Sequence, residues 1–459
     1  MLCRIAGQKN KRGLYRVKEK RKRAETKIEK SSPILDMGHW MLPRRELLKR
    51  MAEGLVAGTL GTKWLDLAAQ ESSEANLENE PFWEQIKKQF PIRPNLIMMN
   101  SANLCPTHYG VLETLFGLTR NLEGDVSFQN RAKFREEKAN ARSSLAQYVG
   151  ADPEEIAITR NTSEGNNIIV NGLELGKGDE VVIWDENHPS NYAAWDVRAR
   201  RQGFSVKKVP TPEEPITPEN LRRHFIGALT PNTRIFAASH VSNVSGLTLP
   251  IKALCLECRS RGILTLVDGA QSLGALSLNL HDMACDFYTG SLHKWPMGPK
   301  ETGLLYVRRG LAERVWPSLV SVGYEAAETQ GAQKFETLGQ RSDPTIAAIG
   351  PTIEFHNTIS KDIIEARLRF IFQRLRNGIS LIPGASILTP PDPSMSAGVL
   401  VFSLSGIGGR QAFETLYHGY GIAAAPAGIN DGIRLSPHIF NTTSDVELVL
   451  SALMKIAAG

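Results

Sequence analysis

Residues 265–308 read TLVDGAQSLGALSLNLHDMACDFYTGSLHKWPMGPKETGLLYVR, and the fold is decided there. An apolar run at 263–267 ends in Asp268, followed by Gly269, Ala270 and Gln271. A second run, 287–289, leads into Ser291, Leu292, His293 and Lys294, and a third, 303–307, follows a turn rich in Pro and Gly. Short apolar runs bounded by turn residues read as buried strands. An acid closes one strand and a lysine lies just past the next, with small residues around both.

The same rhythm extends outward. Strand-like 156–158 is followed by a helix opening at 161–165 and ending near Gly172. Strand 180–184 is followed by a helix over 192–201, and runs at 204–209 and 234–239 continue the series to 263–267. Near-continuous apolar strands alternating with helices predict an α/β fold with a mostly parallel sheet covered on both faces. Ligands of such sheets bind beyond the carboxyl ends of the strands. Thr162, His188, Asn243, Asp268 and Lys294 all fall at such ends. Ahead of the series, 82–86 starts a helix, 97–100 is a short strand, and 111–121 and 134–149 have helical spacing. Past Val320 the alternation stops. A loop-rich 323–345, a helical 346–377, a strand-like 398–404, a helix over 409–419 and the motif IRLSPHIFNT at 433–442 predict a smaller α+β domain. The division expected is 1–80 for a basic tail, signal and linker, 81–320 for the large domain with its N-terminal segment contributing to the small one, and 321–459 for the small domain.

The chain has 459 residues, 42% of them hydrophobic and 22% charged, which suits a globular enzyme with a large core. Its net charge of +6 is local: residues 1–36 hold 12 Lys/Arg against 4 Asp/Glu, or +8, so the remainder is slightly acidic. With the basic surplus confined to the tail and no nucleic-acid-binding motif, no nucleic-acid partner is expected. Five cysteines (3, 105, 255, 258 and 285) form no disulfide ladder, and Cys255 and Cys258 lack the second pair that a zinc site requires, so no metal is expected. No apolar run is long enough for an ordinary membrane span. Residues 43–49, PRRELLK, precede a weakly apolar stretch and resemble a twin-arginine export signal, with Pro43 and Glu53 as departures and Met37 or Met41 as alternative starts. Export, to the periplasm for example, is the expectation; a cytoplasmic protein with a chance Arg-Arg is the alternative.

The residue types at the strand ends suit a covalent aldehyde cofactor. A desolvated Lys294 forms a Schiff base, and Asp268 keeps a pyridine nitrogen protonated so that the ring accepts electrons. Taken singly, the lysine reads as a surface charge and the aspartate as a helix cap. Gln271 and Asn243 can reach a phenolic oxygen. Thr162 and Ser163 at a helix start make a phosphate site, with Ser291 and His293 as further donors. His188 can lie flat on a ring, and Arg434 can grip a carboxylate through two parallel hydrogen bonds.

Together these stretches resemble the class V aminotransferases, within the fold-type I superfamily of pyridoxal-phosphate enzymes, and most closely their isopenicillin-N-epimerase-like members. The resemblance covers residues 81–459 and rests on NTSEGNN (161–167), HPSNYAAW (188–195), SHVSNVSG (239–246), VDGAQSLG (267–274), SLHKWPMGP (291–299) and RLSPHIFNT (434–442). It implies pyridoxal 5′-phosphate as cofactor and a seven-stranded-type sheet. Lys294 is implied as the Schiff-base lysine, Asp268 as pyridinium partner and His188 as the stacking residue. Thr162, Ser163, Ser291 and His293 are implied at the phosphate, Gln271 and Asn243 near the phenolic oxygen, and Arg434 at the carboxylate of an amino-acid substrate. It further implies a homodimer. The expected activity is an aminotransferase. Alternatives are an amino-acid epimerase or racemase, a C–S or C–C lyase, or a non-catalytic pyridoxal-phosphate-binding protein. Two departures stand out. Cysteine desulfurases of this class carry a catalytic cysteine shortly before the arginine motif, whereas residues 421–436 read GIAAAPAGINDGIRLS and no cysteine follows Cys285, which speaks against a desulfurase. Where relatives donate a Gly-Thr pair across subunits, this chain has Gly339-Gln340.

Overall fold

The structure, a computed structural model, describes residues 77–458 except Glu214. The basic tail, the PRRELLK motif and most of the linker lie outside those residues.

After a short β1 (Ile97–Met98), the main sheet takes β2 (Ile156–Thr159), β3 (Glu180–Trp184), β4 (Ser205–Val209), β5 (Thr233–Ser239), β6 (Leu264–Asp268), β7 (Phe287–Ser291) and β8 (Gly303–Val307). Their order is β2-β8-β7-β6-β5-β3-β4. β3 to β7 pair in parallel, while β8 runs antiparallel to both β7 and β2, so it alone is reversed. The reversal follows from the chain: the turn from β7 to β8 is too short for the crossover that a parallel pair requires. β2, β7 and β8 are buried at every position, as strands of a sheet covered on both faces are. One core cluster lies on each face. The first joins Ile156, Val182, Phe236 and Tyr288 to the helices Phe134–Val149 and Ile251–Ser260. The second joins Val181, Ile235, Leu266 and Leu305 to the helices Thr162–Gly172 and Pro189–Gln202. Cys255 and Cys258 sit on the buried side of helix Ile251–Ser260.

A second sheet is built from β9 (Ala385–Ile387), β10 (Leu400–Leu404), β12 (Ala425–Pro426) and β13 (Ile433–Leu435) in the antiparallel order β12-β13-β10-β9, while β11 (Ile422–Ala423) pairs in parallel with β1. Its core is separate and includes Phe402, Leu416, Leu435 and Val449. The helix Glu80–Lys87 is fastened to this C-terminal part: Arg367, fully buried, donates to Glu80 Oε1 (2.8 Å) and to the Asn441 carbonyl (3.2 Å), and its guanidinium lies over Trp83. Lys87 pairs with Asp445 at 2.7 Å. The helical stretch expected over 346–377 is broken at Ser360 (φ +79°) into Ile349–Ile359 and Lys361–Ser380. Ile349 and Ile353 of the first helix join the main-sheet core, beside Phe134–Val149, and the second joins the small core. Among the described residues no helix is long and apolar enough to cross a membrane.

Candidate active site

The carboxyl ends of the parallel strands converge at one edge of the main sheet, and the reversed β8 begins there. Register sets Ser239 beside Asp268, Asp268 beside Thr289, and Ser291 beside Gly303. Asp268 is buried. Its Oδ1 accepts from the Ala270 amide (3.0 Å) and its Oδ2 from Asn166 Nδ2 (2.8 Å). Asn166 is fully buried and in turn accepts at Oδ1 from Thr289 Oγ1 (2.7 Å). A buried carboxylate with two fixed donors keeps its remaining lone pairs in one direction.

Lys294 lies three residues past β7. Burial holds its amine below the ordinary lysine range; the charge of Asp268 works against that shift and Arg434 adds to it. A lowered amine pKa raises the fraction of uncharged nucleophile near neutrality. His188, an exposed ring at the start of helix Pro189–Gln202, accepts at Nδ1 from the Ser190 amide (3.2 Å). Its pKa is lowered by partial burial and by Lys294, against Asp268, so lysine, aspartate and histidine share one electrostatic neighbourhood.

Helix Thr162–Gly172 starts at the same edge, capped by Asn161, whose side chain accepts from the Glu164 amide. Ser291 Oγ accepts from the Thr162 amide (3.0 Å) and shares a proton with Thr162 Oγ1 (2.8 Å). Ser163 is partly exposed beside them. His293 is partly buried, its Nδ1 has no partner among the described residues, and burial with the nearby Lys294 and Lys300 pushes its pKa down to about 4. Helix N–H groups, the Thr162 and Ser291 hydroxyls and the imidazole of His293 form a polar cradle of the kind a phosphate occupies, and Glu164 in the first turn is taken up by Arg160.

Arg434, on β13, reaches back over this edge. It donates to the Asn243 carbonyl and to Asn100 Oδ1, both at 3.2 Å; its Nε is buried without a partner, and burial lowers its pKa. No ion pair to Arg434 occurs among the described residues, so its guanidinium faces the cleft with none of their carboxylates against it. Asn243 therefore serves Arg434 through its backbone. Gln271 is buried: Trp295 Nε1 donates to its Oε1 (2.8 Å) and its Nε2 donates to the Ala102 carbonyl (2.9 Å), which fixes the amide and leaves over its second N–H. Gln340 is exposed and accepts from Arg131 (3.2 Å). All ten expected site residues thus lie on elements of this edge or on the β13 side facing it.

The sequence reading missed Asn166, Thr289, Asn100 and Trp295. Asn166 carried a signal: four residues after Thr162, it lies one helical turn on, on the same face.

The residue set fits pyridoxal phosphate. A desolvated amine, a fixed buried carboxylate, a flat ring at the mouth and a hydroxyl-lined helix start match its aldehyde, pyridine nitrogen, ring and phosphate in kind. Comparison with known proteins points the same way. A model of the family described as "Aminotransferase class-V" matches residues 110–449. Isopenicillin N epimerase of Streptomyces clavuligerus is 30% identical over 391 residues, covering 81% of this chain and 97% of that one. A probable cysteine desulfurase of Methanothermobacter thermautotrophicus is 25% identical over 398 residues, covering 82% and 98%. Among solved structures, the cystine C–S lyase C-DES in complex with cysteine persulfide superposes with a TM-score of 0.74 at 25% identity, covering 80% of this chain and 99% of that one.

Proposed function

The chain belongs to the aminotransferase class-V family, whose cofactor is pyridoxal phosphate, and on that premise we propose an enzyme that removes and returns the α-proton of an amino acid, inverting that carbon. The observation that carries this reading is the convergence of Lys294, Asp268, His188 and an unpaired Arg434 on one sheet edge. Bound pyridoxal phosphate supplies an electrophilic carbon and an electron-accepting ring. The chain supplies the rest. Thr162, Ser163, Ser291 and His293 would hold the phosphate, and Asp268, steadied by Asn166, would hold a proton on the ring nitrogen. Arg434 would orient the substrate carboxylate, and Lys294 would take up the α-proton on its own face. Delivery of a solvent-derived proton to the opposite face would give epimerisation.

Transamination, the expectation from sequence, takes second place because the epimerase relative spans nearly its full length against this chain. A lyase acting on a β-substituent uses the same residues and is favoured by the likeness to the C–S lyase. Sulfur transfer is disfavoured: Cys105, Cys255, Cys258 and Cys285 are all buried, and burial raises the pKa of each, whereas transfer requires an accessible thiolate. Assembly as a homodimer and export by the PRRELLK signal complete the proposal; sedimentation of the purified protein and N-terminal sequencing of the native one test them.

The deciding experiment incubates the holoenzyme with single enantiomers of amino acids in D2O. Deuterium at Cα together with the opposite enantiomer is expected. A keto acid with aminated cofactor, or ammonia with loss of the β-substituent, would replace this reading by transamination or elimination.

A further inference from the structure

The turn that carries Lys294 is held carbonyl by carbonyl. The His293 carbonyl accepts from the Cys105 amide (3.0 Å) and that of Lys294 from the Met297 amide (2.8 Å). The Gly298 carbonyl accepts from Thr107 Oγ1 (2.9 Å). Between them, the carbonyls of Trp295 and Pro296 face two fully buried histidines from the C-terminal third of the chain. His438 Nε2 lies 2.8 Å from the Trp295 oxygen and His356 Nε2 lies 2.9 Å from the Pro296 oxygen.

Their partners assign the tautomers. The Ile439 amide donates to His438 Nδ1 at 2.8 Å, so that nitrogen carries no proton and Nε2–H donates to Trp295. At His356, a carbonyl at Nε2 requires a proton there, leaving Nδ1 to accept from the Tyr148 hydroxyl at 3.0 Å. A second proton on His438 would oppose the Ile439 amide at Nδ1, one on His356 would require the Tyr148 hydroxyl to turn and accept, and burial holds the pKa values down to about 3 for His438 and about 4 for His356. Packing leaves the turn no other place. Met297 is held at φ +59°. A Cβ on Gly274 would lie 2.6 Å from the Pro296 nitrogen, and one on Gly398 would overlap the Trp295 ring.

We infer that His356 and His438 are positioning residues for Lys294. They fix the two peptides that follow it, so that the amine stands ready at the cofactor's aldehyde before any substrate arrives. Preorganisation of this kind appears as binding strength that only the lysine bond can express. The inference rests on Lys294 being the cofactor-bonding lysine.

The test compares two probes on the apoenzyme: pyridoxal 5′-phosphate, which can bond to Lys294, and pyridoxine 5′-phosphate, which lacks the aldehyde and cannot. The ratio of their affinities isolates the contribution of the lysine. His356→Met and His438→Met are expected to lower the ratio at least tenfold with pyridoxine phosphate affinity unchanged, and His356→Gln and His438→Gln, which restore an N–H donor, to recover it to within threefold. If either Met variant fails to fold, Tyr148→Phe, which frees the His356 tautomer at little change in volume, should lower the ratio in the same sense. An unchanged ratio, with both affinities or only thermal stability falling, would overturn the inference. A wild-type protein that binds the two probes equally would instead sink the assignment of Lys294.

Discussion

Asn166 Nδ2 donates to Asp268 Oδ2 at 2.8 Å, from a helix that starts at the phosphate-type cradle to the acid that ends the central strand β6. The bond couples the two halves of the cofactor site. Removing it leaves a buried carboxylate and the Thr289 hydroxyl each short of a partner, a cost of about 1–3 kcal/mol. Asn166→Ala should therefore weaken pyridoxal phosphate binding roughly 10- to 100-fold, read by titrating apoenzyme and following visible absorbance. An unchanged affinity would show that Asp268 needs no orientation.

Arg434 has no acid of the described residues against it, and its proposed role as carboxylate clamp predicts an asymmetric kinetic effect. Arg434→Lys keeps the charge but loses the paired geometry, worth about 1.5–3 kcal/mol for a charged hydrogen bond. With an amino acid found by the enantiomer screen, KM should rise roughly 10- to 100-fold with kcat nearly unchanged, the mark of uniform binding. A fall in kcat at constant KM would assign Arg434 to the chemical step instead.

The two histidines behind the lysine turn also tie stability to pH. Their folded pKa values, about 4 for His356 and about 3 for His438, lie below the ordinary 6.5. The unfolded chain therefore binds protons that the native state refuses. Their contribution is complete above pH 6.5 and is lost as pH falls toward 4, at about 1.4 kcal/mol per pH unit for each ring. Burial also lowers His108, His240 and His293 to about 4, so urea denaturation at pH 6.5, 5.75 and 5 should show a slope steeper than two rings give, and His438→Gln should reduce it by about one ring's share. Equal slopes in the two proteins would mean that His438 is protonated in the native state.

Gly274 and Gly262 both hold positive φ, +81° and +70°, but only the first is crowded: its Cβ would meet Pro296, whereas that of Gly262 would meet nothing. Alanine at either should cost about 1–2 kcal/mol for the left-handed backbone, and at Gly274 roughly 1–3 kcal/mol more for overpacking. Thermal unfolding of the two variants measures the difference. Equal losses would remove Gly274 from the account of how the lysine turn is packed.

The strand-end residues were legible because strand, turn and helix alternate with short apolar runs, and that rhythm places Thr162, His188, Asn243, Asp268 and Lys294 without any knowledge of tertiary contacts. What escaped was the support behind them. Asn166 was quoted within NTSEGNN yet read only for its neighbours, although a helical turn separates it from Thr162. His438 lies in the RLSPHIFNT motif, but its partner, the Trp295 carbonyl, is 143 residues away, and no local pattern reports such a pairing. Gln271 is legible from its closeness to Asp268, but the bonds that orient its amide, from Trp295 and to the Ala102 carbonyl, are not. The break at Ser360 was hidden because apolar spacing continues on both sides, and the positive φ of one serine leaves no periodic trace.

The central claim is that Lys294 is the covalent seat of pyridoxal phosphate. Borohydride reduction of the holoenzyme, followed by peptide mass spectrometry, tests it most directly. The account predicts a phosphopyridoxyl mass on the peptide containing Lys294, and its loss in Lys294→Ala. Label on another lysine, or none, would contradict it.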